Sequence, residues 1–161
     1  MTDLDRLIAA NTRYAFVGHR HLDDARPRRR LAVVTCMDVR IDVLAVLGLH
    51  LGDAHVIRNA GGRVTDDVIR SLTLSSKVLG VDTVVVMQHT RCGLAGVTDD
   101  ELREQTGTDL AFLAIDDHAT ALRADVDALV TAASLDAVLT VAAFLFDVDT
   151  GKVEELLRRA R

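Results

Sequence analysis

Three runs of apolar, largely β-branched residues constrain this chain most: Leu31-Ala-Val-Val-Thr35, Asp82-Thr-Val-Val-Val-Met87 and Ala137-Val-Leu-Thr-Val-Ala-Ala-Phe-Leu-Phe146. None alternates apolar with polar, so each reads as a strand buried on both faces, which is the pattern of a parallel sheet covered by helices. His55-Val-Ile-Arg-Asn59 supplies a shorter strand between the first two. The intervening segments carry helical signals. Asp3 to about His21 places Leu4, Leu7, Ile8, Tyr14 and Phe16 on an amphipathic arm ahead of the first strand. Ile41 to His50 predicts a short helix stopped near Gly48 or Gly52. Thr65 can cap a helix running to Leu79, with Gly80 as its stop. Glu101 to Gln105 fits a short helix or a loop, and Leu110 to Ala133 fits one long helix. Asp147-Val-Asp-Thr-Gly151 is a turn signal, after which the chain closes with an antiparallel edge strand or a terminal helix. The expected fold is therefore α/β, one domain spanning residues 1–161, with residues 1–22 as an N-terminal helical arm.

Composition narrows the function. The chain is 49% hydrophobic but has one Tyr, four Phe and no Trp, so its interior must be built from Ala, Val, Leu and Ile. A net charge of −5 weighs against nucleic acid, which draws on clustered Lys and Arg. The one basic run, Arg26-Pro27-Arg28-Arg29-Arg30, contains the only proline and reads as a solvated loop before the first strand. No stretch reaches the roughly 18 to 20 apolar residues of a membrane span, and Met1-Thr-Asp-Leu-Asp-Arg is not a basic leader. A cytoplasmic protein with reduced cysteines is the expectation.

Both cysteines fall in short polar motifs beside strand ends. One motif is Thr35-Cys36-Met37-Asp38-Val39-Arg40 and the other is Gln88-His89-Thr90-Arg91-Cys92-Gly93. Ligands of open α/β sheets collect at the carboxyl ends of strands, so Cys36, His89 and Cys92 can converge on one ion. Two thiolates and an imidazole suit Zn²⁺, and three protein ligands leave a position open for water, as in catalytic sites. Asp38 lies two residues from a ligand and can either bind the metal or face its water. A bidentate pair with Arg40 would hold it back. No Walker loop occurs, and Ala60-Gly61-Gly62-Arg63 lacks dinucleotide-binding spacing.

The spacing Cys-x-Asp-x-Arg followed by His-x-x-Cys-Gly resembles the β-class carbonic anhydrases, and Arg58-Asn59-Ala60-Gly61-Gly62 resembles the segment after that family's second strand. The likeness runs from about Leu31 to the end and is closest to the short, single-domain members. It implies strand order 2-1-3-4 with an antiparallel fifth strand at the edge. It also implies one Zn²⁺ per chain on Cys36, His89 and Cys92, with the fourth position shared between water and Asp38. The implied activity is reversible hydration of carbon dioxide to bicarbonate and a proton, with zinc acidifying its water and the Asp38/Arg40 dyad gating and orienting that water. Gly61 and Gly62 can let the backbone approach the site and its substrate closely, or can simply form a turn after the second strand. Family members build their sites at subunit interfaces, which implies a homodimer or homotetramer with the arm on the partner. Two other readings stay open. The same site could hydrolyse carbon disulfide or carbonyl sulfide, or Asp38 could close the tetrahedron permanently in a non-catalytic zinc protein. His19, His21, His50, His55 and His118 remain as proton-shuttle candidates.

Overall fold

The structure, a computed structural model, describes residues 1–160. Five strands form one sheet: β1 (Leu31–Cys36), β2 (Ala54–Asn59), β3 (Thr83–His89), β4 (Thr140–Phe146) and β5 (Val153–Ala160). Their order is β2-β1-β3-β4-β5, parallel except for the antiparallel β4–β5 pair, which contains a bulge between Ala143 and Phe144. This is the expected order, and the chain closes with the edge strand rather than a helix. Helices are α1 (Asp3–Val17), α2 (Val43–Val46), α3 (Asp66–Lys77), α4 (Asp99–Thr106) and α5 (His118–Thr131). No helix among the described residues is long and apolar enough to cross a membrane.

The continuous apolar runs lie where a doubly covered sheet needs them. Ala32, Val34, Val84, Val86, Val141 and Ala143 pack with Val68 and Leu72 of α3 and with Leu122, Val126 and Leu129 of α5. Val33, Val85, Met87 and Ala142 pack on the other side with Ile41, Val43, Leu49, Leu94, Ile115 and Phe146. A fully buried Leu or Val contributes about 1.5–3 kcal/mol, so these two layers dominate stability.

Several boundaries differ from the sequence reading, each for a local reason. The segment expected as one helix over Leu110–Ala133 is an irregular strap up to Asp117, and only then α5. Asp117 caps α5 by accepting from the Thr120 amide, and Leu113 has φ 57. The strap's polar backbone is captured elsewhere. Asp99 accepts from the amides of Phe112 (3.0 Å) and Ala114 (2.7 Å), Arg103 donates to the Leu110 carbonyl (3.1 Å), and the Ile115 amide donates to Leu94 (2.7 Å). Ile41–His50 shrinks to the single turn of α2 because Asp42 caps it and Gly48 turns left-handed at φ 61. β4 starts at Thr140 rather than Ala137, after a 3-10 turn at Ala133–Leu135. The arm's helix ends at Val17, with Gly18 as its cap, rather than extending to residue 22.

The basic run is a loop whose arginines all have acidic partners. Arg26 pairs with Asp24, Arg28 and Arg29 with Asp53, and Arg30 with Asp82. The pairs of Arg28, Arg29 and Arg30 fasten the segment before β1 to the body of the protein, while Arg26 pairs within the segment.

One Arg–Asp ion pair among the described residues is buried. Asp125 of α5 accepts from Arg63 Nε (2.8 Å), Gln88 Nε2 (3.2 Å) and the Val64 amide (3.1 Å), and the Arg63 guanidinium also donates to the Leu113 carbonyl. Removing one side of such a pair strands the rest in low dielectric. Asp125→Ala is expected to cost about 3–5 kcal/mol of unfolding free energy, read by urea denaturation. A loss under 1 kcal/mol would show that water rather than Asp125 satisfies these donors.

Candidate metal centre

Parallel pairing of β1 with β3, in which Thr35 lies opposite Met87, brings Cys36 and His89 to neighbouring strand ends, His89 one residue beyond the level of Cys36. Both strands run slightly further than the apolar runs alone suggest, which places the two residues on regular backbone. Cys92 returns from the loop after β3, where the Ala95 amide donates to its carbonyl (3.0 Å). Ligand atoms of Cys36, His89 and Cys92 lie within 4.8 Å of one another, and the two sulfurs are 4.0 Å apart. All three residues are buried and both cysteines are free thiols.

The donor set fits a cation. His89 Nδ1 lies 3.0 Å from the Thr90 carbonyl, and since that oxygen only accepts, Nδ1 carries the proton and Nε2 presents a lone pair. Nε2 is buried and is the one such side-chain nitrogen or oxygen among the described residues without a hydrogen-bond partner. An orphaned acceptor facing two thiols is costly in a protein interior and is satisfied by a borderline-soft metal ion. The sulfurs titrate as a pair. The Cys92 thiol, His89, and the amides of Asp38 and Gly61 stabilise a Cys36 thiolate, with Cys92 foremost, and that neighbouring sulfur and burial push Cys92 up.

Asp38 sits at the rim, with Oδ2 3.8 Å from His89 Nε2. Arg40 grips it bidentately, Nε to Oδ1 at 2.9 Å and Nη2 to Oδ2 at 2.7 Å, and the Arg40 amide adds a third bond at 2.9 Å. That grip holds the Asp38 carboxyl far below the usual carboxylate range. Arg58 of β2 fixes the same loop from outside by donating to the carbonyls of Cys36 (3.0 Å), Ile41 (3.1 Å) and Asp38 (2.6 Å). In the sequence Arg58 stands out only as part of the Arg58-Asn59-Ala60-Gly61-Gly62 segment. Its role as a clamp on three carbonyls depends on tertiary placement.

A cavity of about 370 Å³ opens over Cys36, Asp38 and Cys92, walled mainly by Met37, Ala60, Gly61, Leu94, Leu102 and Phe112. Leu102 and Phe112 were not singled out in the sequence. The one available signal was Leu102 as the only apolar side chain in α4. Gly61 lines the cavity. Gly62, with φ 65, packs behind it, where a Cβ would come 2.8 Å from the Cys36 nitrogen and 2.9 Å from the Thr35 carbonyl carbon. Among the histidines, His55 is held by Ser75 (2.6 Å) and the Ala25 carbonyl (2.9 Å). His118 Nδ1 is 2.8 Å from Gln88 Oε1, and burial lowers its pKa. His19, His21 and His50 are exposed and do not line the cavity.

Comparison with known proteins agrees with this geometry. A family model described as carbonic anhydrase matches residues 31–128. Beta-carbonic anhydrase 1 of Mycobacterium tuberculosis is 38% identical over 97% of this chain and 99% of its own length. A carbon disulfide hydrolase of Saccharolobus solfataricus is 49% identical, but over 46% of this chain and 36% of its own. The crystal structure of a carbonic anhydrase from Streptococcus mutans superposes with a TM-score of 0.86 at 39% identity, covering 98% of this chain and 99% of the other. A strand-end Cys, a His-x-x-Cys loop and a near full-length likeness in sequence and fold together make this chain a member of the β-carbonic anhydrase family, whose enzymes use zinc.

Proposed function

We propose that the protein is a zinc-dependent carbonic anhydrase that interconverts carbon dioxide and bicarbonate, with Cys36, His89 and Cys92 as its permanent ligands. The bare, buried Nε2 of His89 facing two sulfurs beneath an apolar cavity carries this reading. Zinc, when bound, lowers the pKa of a coordinated water from about 15.7 toward 7 and so supplies a nucleophile near neutrality. The chain supplies the rest. Met37, Leu94, Leu102 and Phe112 give a small uncharged substrate an apolar wall, and the Gly61 backbone approaches it without a side chain. Gly62 allows that turn to lie against the strand ends. Asp38, ionised and aimed by Arg40, accepts a hydrogen bond from the attacking water and orients it. In the closed state of this gate, Asp38 would leave Arg40 for the metal.

Hydrolysis of carbon disulfide or carbonyl sulfide is the second reading, supported by the relative from Saccharolobus solfataricus and by a cavity without a polar roof. A non-catalytic site closed by Asp38 is disfavoured by the three N–H donors that already hold that carboxylate. We further propose that residues 1–161 act as one domain in the cytoplasm, where reducing conditions keep Cys36 and Cys92 available as thiolates.

Assembly as a homodimer or dimer of dimers is also proposed. α1 buries none of its residues, and Leu4, Leu7, Ile8 and Phe16 are 71%, 65%, 69% and 90% exposed. A face of that kind is expected to be covered by a second copy.

Stopped-flow hydration with a pH indicator is expected to give zinc-dependent turnover, strongest on the alkaline side because two thiolates make the water less acidic. A fully metallated protein silent on carbon dioxide from pH 6 to 9 would overturn the assignment, and sulfide release measured alongside ranks the sulfur substrates. Cys36→Ala, His89→Ala and Cys92→Ala are each expected to lose zinc in metal analysis. Asp38→Ala and Arg40→Ala should keep it and lose roughly tenfold to a hundredfold in kcat. Wild-type rates in Arg40→Ala would deny the dyad a part. Deleting residues 1–22 should weaken association in sedimentation and lower activity together. A full-length chain that sediments as an active 17.5 kDa monomer at micromolar concentration would refute the dimer.

A further inference from the structure

Arg91 stands between His89 and Cys92 with φ 55, in the left-handed region that costs an L-residue with a side chain. Its carbonyl accepts from Arg40 Nη2 at 3.0 Å, and the same Nη2 holds Asp38 Oδ2 at 2.7 Å. Arg40 is thus fixed from two sides, by the carboxylate it orients and by the backbone of residue 91.

The Arg91 side chain pairs with Asp149 in the turn between β4 and β5, whose charge also acts on Arg40. That turn is stiff. The Asp147 carboxylate accepts from the Asp149 amide (2.8 Å) and from Thr150 Oγ1 (2.9 Å). It is also tied to the ligand loop, because the Val148 amide donates to Thr90 Oγ1 (3.1 Å) and the Thr90 amide donates to the Phe146 carbonyl (2.9 Å). The ion pair therefore links residue 91 to a fixed point on the sheet edge.

We propose that Arg91 and Asp149 are positioning residues for Arg40: the left-handed backbone of Arg91 turns its carbonyl onto the Arg40 guanidinium, and the ion pair with Asp149 holds that turn, so that Arg40 stays on Asp38. This rests on the zinc-hydratase reading for its catalytic consequence, though not for its geometry. The arrangement accounts for an arginine at a position where glycine or asparagine would be less strained. The anchor that Asp149 provides requires a long cationic side chain.

Three variants separate the parts. Arg91→Gly and Arg91→Ala both remove the ion pair but differ in their tolerance of the left-handed region, and Asp149→Asn removes the pair while keeping Arg91. Each is followed by zinc content, by kcat and KM for carbon dioxide hydration, and by the visible spectrum of the cobalt(II)-substituted protein titrated with thiocyanate. That spectrum reports whether Asp38 has moved onto the metal, with no turnover required. Arg91→Gly and Asp149→Asn are expected to lose about two- to threefold in kcat. Arg91→Ala should lose about tenfold, with zinc content and KM unchanged and the thiocyanate response weakened. Equal kcat and equal spectra in the Gly and Ala variants would overturn the backbone part, and wild-type kcat and spectrum in Asp149→Asn would overturn the part of Asp149. Zinc loss from Arg91→Ala with Arg91→Gly fully loaded would assign residue 91 to ligand geometry and equally overturn it. A wild-type protein inactive on carbon dioxide refutes the functional reading alone, and the cobalt spectra then decide the positioning.

Discussion

Parallel pairing of β1 with β3 determines what stands at the carboxyl edge of the sheet, since it brings Cys36 and His89 to neighbouring strand ends before any loop contributes. Two parallel strand ends can come this close to the following segment only if nothing fills the space between them. Gly62 is the residue that leaves it empty: a Cβ there would stand 2.8 Å from the Cys36 nitrogen and 3.1 Å from the Met87 carbonyl oxygen. Both contacts are to backbone, which cannot yield as a flexible side chain would. The Arg58 clamp, the Arg40 grip and the Cys92 loop refine a convergence that strand register has already set.

The buried polar layer beneath the site follows from the same geometry. Gln88 directly precedes His89 and Arg63 directly follows Gly62, so the backbone that forms the candidate metal centre also carries two polar side chains into the interior. Asp125 gathers both. Because Gln88 spends its amide N–H on Asp125, its oxygen is left to accept from His118. Ion pairs of this kind add little net stability compared with apolar packing, but they penalise alternative arrangements heavily. Here they tie the strand end that bears His89 to α5.

Much of this was legible in the sequence, and the residues show why. Val33, Val34, Val85 and Val86 belong to runs whose only stable home is a doubly covered sheet, so the strands and their class could be read from pattern alone. Strand order could not, because periodicity carries no information on neighbours, and the family resemblance supplied it. Cys36, Asp38, Arg40, His89 and Cys92 were visible because their chemistry is written in short local spacing. The strap from Leu110 to Asp117 was misread as helix. Its apolar spacing is helical, and the groups that pull it straight, Asp99 and Arg63, lie 13 to 50 residues in sequence from the backbone groups they hold. Arg58 and Arg91 had no signal at all as clamps. A guanidinium that holds distant carbonyls, and a carbonyl turned by one left-handed residue, exist only once the chain has folded.

The bare α1 helix has a consequence for how the protein reaches its folded form. Fifteen residues with a capping box at Thr2 and Asp5 can start a helix, yet an isolated helix of that length is marginal in water. Its own chain gives it no apolar surface to lie on. The body of the sheet can fold by a first-order process, whereas under the proposed assembly the arm's helicity depends on meeting a second copy, a second-order step. Under that proposal, order in the first seventeen residues is a function of protein concentration, and a dilute solution would hold a folded sheet on a chain whose N-terminal end is still fraying.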